Sequence, residues 1–112
     1  MKYMLLIYGS DPDWESRSEE ERNAIFGEYM AVAEAPGVVE SHQLQPAETA
    51  TTVRTEEGGP LTTDGPFAET KEVLGGYYLL EADDLDAAIE LAARIPVART
   101  GGAVEVRPLV ER

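Results

Sequence analysis

The sequence predicts an α+β domain in which a β-α-β unit, a hairpin and a second β-α-β unit follow one another. Three observations carry this. Lys2 to Tyr8 and Tyr77 to Ala82 are short β-forming runs that are apolar on both sides. A helical periodicity of apolar residues follows each of them. Between the two units, turn residues bracket two short runs rich in Thr and Val.

In the first run, Tyr3, Leu5 and Ile7 alternate with Met4, Leu6 and Tyr8 before Gly9-Ser10. A strand apolar on both sides is a central strand covered on both faces. Asp11 to Arg17 reads as a loop holding the single tryptophan, Trp14. Ser18 with Glu21 has capping-box spacing, and Glu19 and Glu20 suit the positive end of a helix dipole. Ile25, Phe26, Tyr29, Met30 and Ala33 then recur at helical spacing until Pro36-Gly37. Val38 to Leu44 reads as a second strand bearing His42, and Gln45 to Ala47 breaks it.

Ala50 to Arg54 and Leu61 to Thr63 form a hairpin about the turn from Glu56 to Pro60. Asp64-Gly65-Pro66 is a further turn, and Phe67 to Val73 reads as a loop with one helical turn. Gly75-Gly76 opens the strand Tyr77 to Ala82. Asp83 or Asp84 caps a second helix with Leu85, Ala88, Ile89 and Ala92 at its apolar positions, and Pro96 stops it. After Gly101-Gly102, Val104 to Leu109 is the last strand, with Val104 and Val106 on one side and Glu105 and Arg107 on the other.

Without its hairpin this order is the ferredoxin-like split βαβ arrangement, an antiparallel sheet with both helices on one face. Residues 1–112 suit a single domain. Two helices cover one face only, so the two-sided strands require a cover on the other. The economical cover is a second copy, packed sheet against sheet as a twofold homodimer.

Composition removes several function classes. Without cysteine there are no disulfides and no sulfur-ligated zinc, and one histidine cannot build a poly-His metal site in one subunit. Nine basic against 22 acidic residues leave a net charge of -13, which disfavours nucleic acid as a partner. No apolar run approaches the ~20 residues that span a bilayer. The initial apolar run is too short for a signal-peptide core, so the expectation is a soluble cytoplasmic protein with no membrane partner. No P-loop, dinucleotide fingerprint or redox motif is present, and no cofactor is expected. Asp84-x-Asp86 lacks calcium-loop spacing, so no metal site is expected there.

Residues 64–72 read DGPFAETKE. They are followed by Gly75-Gly76-Tyr77-Tyr78, Asp84-Leu85-Asp86-Ala87-Ala88 and Glu105-Val106-Arg107-Pro108, and preceded by Leu44-Gln45-Pro46 and Thr51-Thr52-Val53-Arg54. Over nearly its whole length the chain resembles the YCII-related proteins, specifically the DGPFAETKE (DGPF-domain) subgroup. The resemblance implies a dimeric α+β barrel, in agreement with the dimer argued from the two-sided strands. It implies a function less sharply. Some members neighbour extracytoplasmic-function (ECF) sigma-factor genes. The broader group is suspected of catalysis through a His–Asp pair in a cleft, and one relative acts in dehydrochlorination of a chlorinated aromatic.

The aspartate of that pair resembles Asp64. Its carboxylate is either a general base or ligand anchor in a cleft, or a turn former that accepts backbone N–H bonds. His42 would be its proton-shuttling partner, or a surface residue of the second strand. Arg107 could hold a carboxylate ligand through its planar fork, with Glu105 beside it, or it forms an intersubunit or intrachain salt bridge with Glu72 or Glu105. Lys71 is an anion contact on a lid or a solvated lysine. Trp14 caps the cleft or seals the helix onto the sheet. The leading expectation is a homodimer whose Asp-centred clefts bind a small anionic or aromatic molecule, with cofactor-free isomerase- or lyase-like proton transfer as the possible reaction. The alternative is a non-catalytic ligand- or protein-binding module linked to sigma-factor regulation.

Overall fold

Two β-α-β passages interleave to form a four-stranded antiparallel sheet, seen in the computed structural model, which describes residues 1–67 and 72–111. The strands are β1 (Lys2–Tyr8), β2 (Val38–Gln43), β3 (Thr51–Glu56), β4 (Gly59–Asp64), β5 (Leu74–Glu81) and β6 (Ala103–Pro108). The helices are α1 (Glu19–Ala33), α2 (Leu85–Ala92) and α3 (Val97–Thr100). The main sheet runs β2-β5-β1-β6, and β3 pairs only with β4. This α+β order is consistent with the expected ferredoxin-like arrangement and its inserted hairpin. The helical turn expected within 67–73 falls largely on residues outside the described ones.

Directly opposed residues of antiparallel strands share a face, so the register sorts the side chains. Tyr3 lies opposite Leu80, Leu5 opposite Tyr78 and Val106, and Ile7 opposite Val104. This face packs with Val32, Ala88, Leu91, Ala92, Ile95 and Val97 into the core, where Tyr3, Leu5, Tyr78 and Leu80 are buried. The opposite face holds two further rows. Glu40, Leu79, Met4 and Arg107 form one; His42, Tyr77, Leu6 and Glu105 form the other. Met4, Leu6, Tyr8, Tyr77 and Leu79 on this face stay half-buried, although their residue types match those of the core. One sheet and one layer of helices give the chain a slab shape of 50 × 42 × 19 Å.

Local chemistry sets the helix ends. The Glu21 amide donates to Ser18 Oγ at 3.1 Å, and the Glu21 carboxylate accepts from the Ser18 amide, which completes the expected capping box. Asp84 Oδ1 accepts from the Ala87 amide at 2.9 Å and caps α2. α1 is less one-sided than its spacing suggests: Ile25 and Val32 are buried, but Phe26 is 60% and Met30 48% exposed. On α2, Leu91 takes the inward position and Ile89 stays out. Pro96 both ends the preceding turn and begins α3, since a proline already has the φ of a first helical turn. Gly102 follows, where any Cβ would run into the Tyr8 carbonyl oxygen and the Val97 side chain.

The core also carries a pH-linked hydrogen bond. The Tyr78 hydroxyl donates to the Tyr29 carbonyl at 3.1 Å, and burial pushes its pKa up to about 12. An unfolded tyrosine ionises near 10. Between these values the folded chain keeps a proton that the unfolded chain releases, so this contribution is full below pH ~10 and is lost as pH rises through about 12. Urea denaturation along an alkaline series is expected to show this fall, and Tyr78→Phe to flatten it. In the same assay at neutral pH, Ser18→Ala is expected to lose about 1 kcal/mol with an unchanged urea dependence.

Candidate functional site

The candidate site forms where the hairpin leaves the sheet. Pairing of β2 with β5 ends with the Leu44 amide donating to the Gly75 carbonyl at 2.9 Å. Pro46 then turns the chain. The Thr49 amide donates to the Pro46 carbonyl at 2.9 Å, and the Ala50 amide to the Ala47 carbonyl at 3.0 Å. At the other end of the hairpin, the Gly65 amide donates back to the Ala50 carbonyl at 2.7 Å. Thr52 Oγ1 donates to the Gly65 carbonyl at 2.7 Å. On the far side the Gly9 amide donates to the Val73 carbonyl at 3.0 Å, tying the end of β1 to the entry of β5.

These ties enclose a cleft of about 510 Å³. Tyr8 from β1, Val73 and Leu74 at the start of β5, Leu44, Pro46, Ala47 and Ala50 from the β2–β3 connection, and Pro66 give it an apolar lining. Gln45 and Thr49 join them, and among the described residues no charged side chain lines the cleft. Thr49 Oγ1 already donates to the Pro46 carbonyl at 2.7 Å, so among the described residues the Tyr8 phenol and the Gln45 amide are the side-chain polar groups left to meet a ligand. The volume lies in the range of small-molecule sites, and the lining favours an uncharged, largely apolar guest.

Asp64 ends β4 opposite Thr51, one residue from the cleft-lining Ala50 and two from Pro66. It is exposed, and its carboxylate makes no hydrogen bond or ion pair among the described residues. The turn beneath it is held instead by Gly65, whose φ of +98° suits glycine, and by Thr52. His42 lies on the open sheet face. Its Nε2 is 3.6 Å from Glu40 Oε2, and its ring is tilted against Tyr77 with centroids 5.7 Å apart. The two form an ion pair only when the imidazole is protonated, and His42 makes no hydrogen bond or ion pair with Asp64.

Arg107 and Glu105 project from β6 on the same open face, 3.8 Å apart and both exposed. β6 and β2 are the two edges of the sheet, about 14 Å apart at ordinary strand spacing, so Arg107 and His42 do not meet. Trp14 sits in a 3₁₀ turn with the Arg22 guanidinium 5.7 Å from its ring centre. Arg22 also donates to the Trp14 and Glu15 carbonyls, both at 2.9 Å. Trp14 thus lies against the start of α1. Beside it, Arg17 holds the Asp11 carboxyl below its usual pKa through a 2.6 Å ion pair. Lys71 lies outside the described residues.

Sequence reasoning singled out the Asp64 turn but missed most of the cleft wall. Leu44 and Pro46 sat in a recognisable motif; Tyr8, Ala47 and Ala50 carried no chemical signature. It also missed Arg54, whose guanidinium lies 4.7 Å from the ring centre of Phe67.

The YCII-related domain family matches residues 1–112. An uncharacterized protein of Rhizobium meliloti (strain 1021) is 36% identical over 114 residues, spanning 97% of this chain and 92% of that protein. With the match running the full length of sheet, hairpin and cleft, the chain belongs to the YCII-related family.

Proposed function

We propose that the chain is a homodimeric small-molecule-binding protein whose ligand is an uncharged, largely apolar organic compound seated in the cleft between Tyr8, Leu44, Ala47, Ala50, Pro66 and Leu74. The observation that carries this reading is the cleft itself, about 510 Å³ with no charged side chain among the described residues of its wall. A chain with a net charge of -13 repels anions at long range, and the described residues of the wall offer no cation to offset that. The ligand therefore differs from the anionic guest that Arg107 would hold. The neutral fluorophore N-phenyl-1-naphthylamine is a suitable probe. It is expected to bind with enhanced emission, and Ala47→Trp, which fills the cleft, to weaken binding at least tenfold with an unchanged melting temperature. Equal affinity in the variant would remove the cleft from the account.

The Asp64 carboxylate at the root of the hairpin, unpaired among the described residues, supports a second reading, cofactor-free proton transfer on a molecule held in the cleft. Asp64 would be the base, since it stands nearer in sequence to the cleft lining than His42, which lies on the open sheet face.

The dimer reading rests on the uncovered sheet face. Its centre is apolar, and acidic and basic side chains stand at its margin: Glu40 with His42 on β2, Glu105 with Arg107 on β6, and Lys2 opposite Glu81 at one end of β1 and β5. Such a face mixes both signs at its rim in a strongly acidic molecule and can meet its own copy about a twofold axis. Sedimentation equilibrium is expected to give twice the chain mass of 12.2 kDa, and Leu79→Arg to give the monomer. A wild-type monomer at working concentration would contradict the reading.

A further inference from the structure

We infer that the β3–β4 hairpin is an arm that packs on a second copy of this chain and supplies the part of the dimer interface that the sheet face lacks. The inference rests on the homodimer reading and goes beyond it.

The hairpin pairs with no strand of the main sheet. Every residue of its two strands is exposed except Thr52 and Gly59, which are half-buried. An isolated two-stranded hairpin is at best marginally stable in water, so a fully paired hairpin of this kind calls for a surface to lie on. It also presents apolar residues to solvent. Val53 is 59% and Leu61 49% exposed, and Phe67 at its base is 69% exposed.

Its two faces differ. Thr52 lies opposite Thr63, and Arg54 opposite Leu61, on one of them. Arg54 stacks on Phe67 and makes no ion pair among the described residues, although the chain has 22 acidic side chains. Stacking on an aromatic ring leaves the in-plane N–H groups of a guanidinium free to grip a carboxylate. A face with an apolar residue and an unused, pre-oriented cation is complementary to an acidic surface, and a second copy of this chain offers one.

Area points the same way. Four strands about 4.8 Å apart and some six residues long give the sheet face a flat footprint of about 400 Å². A stable interface buries about 800 Å² per partner. One face of the hairpin adds about 200 Å² by the same spacing. Each partner gives one arm and receives one, which closes the gap. The arm also starts in the right place. Ala50 and Pro66 at its root share the cleft with Tyr8, which belongs to the open sheet face. The arm is therefore continuous with the face that the dimer reading covers.

The absence of cysteine permits a direct test. Leu61→Cys, labelled with benzophenone maleimide, is photolysed in a mixture of isotopically heavy and light chains after equilibration. The expected product is a heavy–light cross-link. In parallel, Arg54→Glu is expected to raise the dimer dissociation constant about tenfold with an unchanged circular dichroism spectrum. Cross-links confined to the labelled chain itself, in a sample that sediments as a dimer, would overturn the arm and leave the sheet-to-sheet dimer standing. A sample that sediments as a monomer would overturn both.

Discussion

The alternation of side chains along a strand is the constraint on which the rest of this structure depends. From Tyr3 to Tyr8 on β1 and from Tyr77 to Leu80 on β5 every position is apolar or aromatic, so each side of the sheet carries an apolar set. The helices take Tyr3, Leu5, Tyr78 and Leu80. They leave Met4, Leu6, Tyr77 and Leu79 half-covered by their neighbours in the sheet. Burial of a large aliphatic side chain is worth about 2 kcal/mol, so an apolar row of this length is a substantial reserve of free energy for association. The charges on this face stand on the two edge strands and, with Lys2 opposite Glu81, at one end of the two central ones, around an apolar middle.

The same constraint positions the cleft. Tyr8 is the last residue of β1 on the open face, and beyond it the sheet gives way to the hairpin connection. Pro46 and Pro66, neither of which can donate a backbone hydrogen bond, line the place where the chain leaves the ladder and returns. The cleft is thus a by-product of inserting a hairpin between two strands of one sheet. Its chemistry is that of the sheet face it borders, apolar with a phenol at one side. Asp64 ends β4 at the root of the hairpin, two residues before the cleft-lining Pro66.

Element order was legible because it is written in local periods: two-sided strands, a capping box at Ser18 and Glu21, and glycines and prolines at the breaks. The open face was legible by subtraction, from two helices and two faces. The side of α1 that faces the core was harder to read. Phe26 and Met30 sit at the same spacing as Ile25 and Tyr29, and only the position of α1 over the sheet decides which of them is covered. The short α3 was hidden because Pro96 reads as a stop for α2, whereas α2 already ends at Ala92 and the proline instead precedes a new helix. The candidate site was the least legible part. His42 and Arg107 looked chemically apt, yet strand order sends them to opposite edges, and strand order is a non-local property. Most of the described cleft wall is alanine, proline, leucine and valine, residue types whose function lies in the shape they leave between them.

The central claim, that the apolar sheet face is covered by a second copy, is most directly tested by isotope-filtered nuclear Overhauser spectroscopy on a mixture of labelled and unlabelled chains. The account predicts interchain contacts from the methyl groups of Met4, Leu6 and Leu79 to aromatic protons of Tyr77 on the other chain. Interchain contacts limited to Phe26 and Met30 on α1, or none at a concentration where the chain is associated, would contradict it.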